Sequence, residues 1–96
     1  MADEDDLLRK IRDAGVEAPQ APFILVCEHG DRPGMVRAVS EALASHAVNI
    51  DSLDLIRERQ GTRAMMVLGL KDEAAPDVLS EIEKIPGVYS ARLAKT

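Results

Sequence analysis

Four segments of the chain have the apolar pattern that is typical of β-strands. Phe23 to Glu28 and Ala64 to Leu70 are almost unbroken apolar runs, which indicates strands covered on both faces. Val48 to Arg57 mixes β-branched and apolar residues with polar ones, and it predicts a less buried strand at a sheet edge. Val88 to Ala94 predicts a last strand. Gly69, inside the second apolar run, indicates a bulge or a close backbone approach.

Three other segments repeat apolar residues every three or four positions and predict amphipathic helices. The first, Ala2 to Val16, carries acidic residues in its first turn and basic residues later, an order that complements the helix dipole. The second runs from Met35 to His46. The third begins with Pro76 in its first turn and ends before Pro86. Glu17 to Pro22 contains two prolines and predicts an extended linker after the first helix.

After the leading helix the predicted order is β-α-β-β-α-β, which belongs to the α+β class. This order predicts a ferredoxin-like sandwich, in which an antiparallel four-stranded sheet carries both helices on one face. We divide the chain into an N-terminal helix and linker, residues 1–22, and a domain, residues 23–96. The sheet face without these two helices, here called the open face, needs a cover. The N-terminal helix, a second copy or a larger enzyme could supply it, and we predict a homodimer or higher oligomer through the sheet edge or the open face.

Composition excludes several classes of function. The formal net charge is −5, which argues against nonspecific binding to nucleic acid or anionic membranes, and no aromatic platform for RNA is present. No apolar segment is long enough for a membrane span, and the acidic N-terminus does not resemble a secretory signal. The single cysteine, Cys27, fits a reducing compartment, and we expect a buried thiol and a cytoplasmic protein.

Residues for catalysis and metal binding are few. His29 and His46 match no usual zinc spacing, and neither a nucleophile elbow nor a phosphate-loop signature is present. We therefore predict no catalytic residue, no metal site and no cofactor.

The turn from His29 to Gly34 joins the first strand to the second helix and is the strongest candidate site. Pro33 suits a first helical position, and Gly34 leaves the backbone open to a ligand. Free N–H groups and the helix dipole favour a carboxylate or phosphate there, although a connecting turn without a ligand explains the same residues. Asn49 starts the second strand at the other end of the helix, so it can meet the ligand from a neighbouring copy.

Residues 23–96 resemble the ACT domain, a small-molecule-sensing module of amino-acid metabolism. The matching stretches are His29-Gly30-Asp31-Arg32-Pro33-Gly34, Val48-Asn49-Ile50, Ala64-Met65-Met66-Val67, Ile85-Pro86-Gly87 and Ala91-Arg92-Leu93. They are most like the C-terminal regulatory domains of D-3-phosphoglycerate dehydrogenases and of the β chain of iron–sulfur L-serine dehydratases.

The resemblance implies that the turn histidine, the residue two after it and the asparagine of the second strand bind L-serine across a dimer interface. These roles fall on His29, Asp31 and Asn49. Asp31 stands where serine-inhibited members usually have asparagine; its carboxylate accepts from an ammonium and repels a carboxylate. The predicted ligand-binding residues are His29, Gly30, Asp31, Arg32, Pro33, Gly34, Asn49 and Ile50.

The chain lacks a dinucleotide fingerprint and the cysteines of an iron–sulfur cluster, which indicates a regulatory domain, either stand-alone or part of or partner to a metabolic enzyme. An assembly module of the same fold that binds no metabolite is the alternative. A small ferredoxin-like enzyme, such as an acylphosphatase, lacks a catalytic constellation here.

Overall fold

The computed structural model describes residues 4–58 and 61–96. These residues form three helices and four strands. In chain order they are α1 (Glu4–Asp13), β1 (Phe23–Gly30), α2 (Met35–Ser45), β2 (Ile50–Arg57), β3 (Arg63–Leu70), α3 (Pro76–Glu83) and β4 (Val88–Lys95). The predicted ferredoxin-like fold with a leading helix is confirmed. Ala2 and Asp3 of the predicted first helix lie outside the described residues, as do Arg59 and Gln60 between the second and third strands.

The strands form one sheet in the order β2-β3-β1-β4, and every neighbouring pair is antiparallel. Gly30, the last residue of β1, lies opposite Arg63, and Arg57, the last residue of β2, lies opposite Ala64. The ends of β1 and β2 therefore meet at the same end of the sheet. The start of β2, at Ile50, lies at the opposite end.

The edge strand β2 begins two residues later than the sequence predicts. Val48 is buried, and its N–H donates to the carbonyl of Leu43 at 3.0 Å, so this residue closes α2 instead of starting the strand. The pairing of β2 with β3 shifts register between Ile50 and Ser52, opposite Gly69. A Cβ at Gly69 would lie 2.7 Å from Oγ of Ser52 and 2.9 Å from Cβ of Pro19, which confirms the predicted close backbone approach.

Helices α2 and α3 cover one face of the sheet, here called the helix face. Their apolar residues, including the fully buried Val39, Leu43 and Ile82, pack with Leu25 and Leu68 of the central strands. The spacing of three and four residues that predicted these helices is the spacing that places their apolar side chains on one side.

Helix α1 covers the open face of the sheet, which selects one of the three covers that the sequence left open. Leu7 and Ile11 are fully buried and pack with Ile24, Val26 and Val67. Nζ of Lys10 also donates to Oε2 of Glu28 on β1 at 2.9 Å. The division of the chain after residue 22, with a domain that folds without α1, stays a prediction.

None of the helices in the described ranges combines the length and the apolar character that crossing a bilayer requires.

Candidate functional site

The turn after β1 is held from both sides by backbone hydrogen bonds. The N–H of Gly30 donates to the carbonyl of Gly87 at 2.8 Å, and the N–H of Asp31 donates to the carbonyl of Thr62 at 2.6 Å. Gly87 belongs to the turn before β4, and Thr62 precedes β3. The candidate turn is therefore fixed to two neighbouring segments, and its position at the end of the sheet is defined.

Helix α2 starts at Met35, where the apolar pattern predicts it, but Pro33 lies before the helix and not at its first position. Gly34 is the N-cap and has φ of 89°, a left-handed conformation in which glycine is strongly favoured. No side chain caps this helix start. The first N–H groups of an α-helix have no acceptor within the helix, so the start of α2 presents donors and the positive end of its dipole.

His29 lies under this helix start with an unused hydrogen-bonding atom. The side chain is 2% exposed, and Nδ1 lies 2.8 Å from the carbonyl oxygen of Gly30. A carbonyl oxygen can accept only, so Nδ1 carries the hydrogen, and Nε2 of the neutral ring is an acceptor. Nε2 is buried and has no partner among the described residues. A buried acceptor without a partner is unfavourable, and a ligand donor would satisfy it.

A groove of about 420 Å³ opens between the turn, the first turn of α2 and the end of β2. Five of the predicted residues line it, namely His29, Asp31, Arg32, Pro33 and Gly34. Gly30 is instead buried beneath the turn. Five further lining residues were not predicted: Met35, Val36, Arg37, Leu55 and Arg57.

Arg57 is the most important residue that the sequence analysis missed. Its Nε donates to Oδ1 of Asp31 at 3.0 Å, so the end of β2 is tied to the turn. The signal was present in the period of two along a strand, because Arg57 follows Leu53 and Leu55 at alternate positions and shares their face. The mixture of polar residues along β2 obscured it.

Asn49 and Ile50 lie far from the groove within one chain. The N–H and Nδ2 of Asn49 donate to Oδ2 of Asp72 at 3.0 and 3.1 Å. Ile50 pairs with Leu70 at the end of the sheet where β1 begins. Phe23 of β1 lies at that end, and His29 is six positions further along the strand, about 20 Å away. The structure thus brings the turn residues together and leaves Asn49 and Ile50 apart from them, as the predicted topology requires.

Nothing in the described part of the chain adds a metal or nucleophile site. Its His, Cys, Asp and Glu side chains form no group of three or more that could hold a metal ion. Burial raises the pKa of the Cys27 thiol to about 12, and the nearby carboxylates of Glu28 and Glu83 add to the rise. This thiol stays protonated at neutral pH and is a poor nucleophile.

Comparison with known proteins places these features in a family. The family model described as the ACT domain matches residues 23–87. The chain is 32% identical over 80 residues to a D-3-phosphoglycerate dehydrogenase of Synechocystis, covering 83% of this chain and 14% of that protein. It is 28% identical over 67 residues to a probable L-serine dehydratase β chain of Bacillus subtilis, covering 70% of this chain and 30% of that protein.

A solved structure agrees with these matches at the level of the fold. The ACT domain of a GTP pyrophosphokinase from Chlorobium tepidum superposes with a TM-score of 0.58 at 16% identity, over 75% of this chain and 95% of that one. The chain spans about a seventh of the first of these relatives and somewhat under a third of the second, so it corresponds to only part of each. On the family match over most of its length, the chain belongs to the ACT domain family of regulatory domains.

Proposed function

We propose that this domain senses a small amino acid, L-serine being the first to test, and thereby regulates an amino-acid metabolic enzyme. The observation that carries the proposal is the groove at the end of β1, where an uncapped helix start, a buried acceptor on His29 and the carboxylate of Asp31 converge. These groups complement an α-amino acid: the helix start suits its carboxylate, and Asp31 suits its ammonium.

A homodimer would complete the site. Helix α1 covers the open face, so the sheet edges remain available for pairing, and β2 is one of them. Antiparallel pairing of two β2 strands about an axis at Leu53 sets position 49 of each strand opposite position 57 of the other. The partner subunit's Asn49 then approaches Arg57 and the groove, which agrees with the role that the family resemblance implies.

Binding at such an interface would regulate by favouring one dimer geometry. A ligand shifts an equilibrium between two arrangements by the difference in its affinity for them. A ligand held by groups of both subunits binds well only where those groups meet, and that difference is the signal to a fused or associated enzyme.

Titration calorimetry on the wild type and on Asn49→Ala tests the proposal. Loss of a hydrogen bond to a charged ligand group costs about 1.5–3 kcal/mol, so affinity should fall about tenfold or more. Asp72→Ala is the matched control, because it removes the partner that holds Asn49 within the chain and leaves Asn49 itself. We expect Asp72→Ala to bind the ligand as well as the wild type or better.

The assembly-module alternative has one observation in its favour. Asn49 is already engaged by Asp72 within the chain, and Nε2 of His29 is covered, so neither is free to meet a ligand without a local shift. If no free amino acid binds at millimolar concentration while light scattering shows a dimer, the assembly module is the better explanation. A strict monomer, with and without α1, contradicts both.

A further inference from the structure

The lining of the groove differs in charge from the protein as a whole. Three guanidinium groups and one carboxylate line it, from Arg32, Arg37, Arg57 and Asp31, whereas the chain has a formal net charge of −5. The uncapped start of α2 adds further positive potential at the same place. Clustering of positive groups in a concave site favours a ligand that carries net negative charge.

Asp31 does not cancel this excess. Its Oδ1 accepts from Nε of Arg57, which reduces the repulsion between this carboxylate and the carboxylate of a ligand. A guanidinium has five N–H donors, and this contact uses one, so Arg57 keeps donors for a second acceptor.

The two other arginines of the groove contribute unequally. Arg37 is more exposed than Arg57, and it donates at 2.8 Å to Glu41, a carboxylate that does not line the groove and draws this guanidinium away from it. Arg32 lies against the turn at Gly87, where a Cβ would come within 3.1 Å of its Cδ and 3.3 Å of its Nη1. Arg57 and Arg32 are therefore the groups best placed to hold an additional anion.

We propose that the groove binds an α-amino acid with an acidic side chain more tightly than a neutral one of the same size, and that Arg57 and Arg32 bind the side-chain carboxylate. This inference rests on the proposed amino-acid-sensing function and names the ligand class. The α-carboxylate lies at the start of α2, the side-chain carboxylate binds the two guanidinium groups, and the ammonium faces Asp31 and, after the local shift that uncovers it, Nε2 of His29. A zwitterion such as L-serine brings no second carboxylate to those guanidinium groups.

Calorimetry with L-aspartate, L-asparagine and L-serine tests the inference, because the first two ligands have nearly the same shape and differ by one charge. We expect L-aspartate to bind about fivefold or more tightly than L-asparagine, which corresponds to the upper range of a single exposed ion pair. The preference should shrink as salt is raised. Arg57→Gln and Arg32→Gln should each reduce the preference, while Arg12→Gln, an exposed arginine on α1 outside the groove, should leave it unchanged.

The outcomes separate this inference from the function on which it rests. Equal binding of L-aspartate and L-asparagine, or a preference for L-serine, overturns the charge selection and leaves the sensing function standing. An L-aspartate preference that Arg12→Gln reduces as strongly as Arg57→Gln reflects overall charge and also overturns the assignment. Failure of all three ligands to bind overturns the charge selection, and if no other amino acid binds, the sensing function fails with it.

Discussion

The two faces of the sheet are both apolar, but they are covered in different ways. On the helix face, α2 and α3 each connect two strands along the chain, so both ends of each helix are tied to the sheet. On the open face, α1 is tied at its C-terminal end alone within the described chain, and it buries two side chains fully, Leu7 and Ile11. The helix face is thus covered by helices that connect strands of the sheet, and the open face by a helix outside the βαββαβ unit, which we predict can detach from it.

This difference determines what damage to each face can do. A side chain lost from the helix face weakens the unit that holds the sheet together, because neither helix can leave without breaking the strand order. If α1 detaches as we predict, truncating one of its side chains lowers the free energy of unfolding by no more than the whole free energy with which α1 docks on the sheet. The groove lies at the start of α2, on the face that cannot open in this way.

Leu43→Ala should cause the largest loss of stability. Leu43 is fully buried between α2 and the sheet, and truncation there leaves a cavity in the helix-face core. The free energy of unfolding should fall by about 2–5 kcal/mol. Urea denaturation followed by circular dichroism measures it, and a loss below that of Ile11→Ala would contradict the ranking of the two faces.

Ile11→Ala should cost less, about 2 kcal/mol, because detachment of α1 limits the penalty. Deletion of residues 1–20 sets that limit, and we expect the remaining chain to keep nearly all of its circular dichroism. It would also expose the apolar residues Ile24, Val26 and Val67, so it should associate more readily than the full chain. Collapse of the shortened chain to an unfolded state would show instead that both covers are equally part of the fold.

Glu28→Gln should cost about 1 kcal/mol by weakening the contact between α1 and the sheet. Burial by itself raises the pKa of Glu28, but the hydrogen bond and charge of Lys10, the hydroxyl of Ser90 and the charge of Arg63 lower it overall. A lowered pKa in the folded state means that the contribution is present above the ordinary value of about 4.5 and is lost as pH falls below it. Denaturation at a series of pH values between neutral and about 3 measures how far the free energy of unfolding falls with pH, and this decrease should be smaller in Glu28→Gln.

Glu41→Gln is the matched control for this effect. Glu41 accepts from Arg37 at 2.8 Å, close to the 2.9 Å between Lys10 and Glu28. Arg37 and Glu41 are both largely exposed, however, whereas Glu28 is mostly buried. Exposed pairs of this kind contribute little to stability, so Glu41→Gln should leave the free energy of unfolding nearly unchanged. If Glu28→Gln and Glu41→Gln lower stability equally, the partly buried ion pair of Glu28 contributes no more than the exposed pair of Glu41.

The sequence predicted the helix face better than the open face for a physical reason. Periodicity reports which positions are apolar, and two continuous apolar strands showed that both faces needed covers. It could not report what covers the second face, because the docking of α1 depends on a long-range contact, such as that of Lys10 with Glu28, which leaves no local pattern.

The candidate site shows the same division. The turn from His29 to Gly34 was recognisable because glycine and proline mark a strand-to-helix connection locally. The pairing of Asp31 with Arg57 joins residues from different strands and was missed. Pro33 does not hold the first helical position expected of it, since Gly34 takes the left-handed N-cap conformation and α2 begins at Met35.

The smallest expected effect comes from a mirrored pair of substitutions at the ends of α1 and α2. Both helices end with the same two backbone hydrogen bonds. In α1 the N–H groups of Gly15 and Val16 donate to the carbonyls of Arg12 and Ile11, and in α2 those of Ala47 and Val48 donate to the carbonyls of Ala44 and Leu43. The left-handed position is occupied by Gly15, with φ of 84°, in α1 and by Ala47, with φ of 59°, in α2. Alanine is strained in that conformation and glycine is not, so the two helices use the same motif at different cost.

Ala47→Gly should therefore stabilise the protein by about 0.5 kcal/mol, the relief of strain being partly offset by the greater freedom of glycine in the unfolded chain. Gly15→Ala should destabilise by about as much or less, because a Cβ at Gly15 meets no atom within 4 Å and α1 can detach. Urea denaturation of both variants measures the pair of effects. If Ala47→Gly destabilises, the left-handed conformation at Ala47 does not cost what we infer, and an equal gain from both changes would contradict the mirrored assignment.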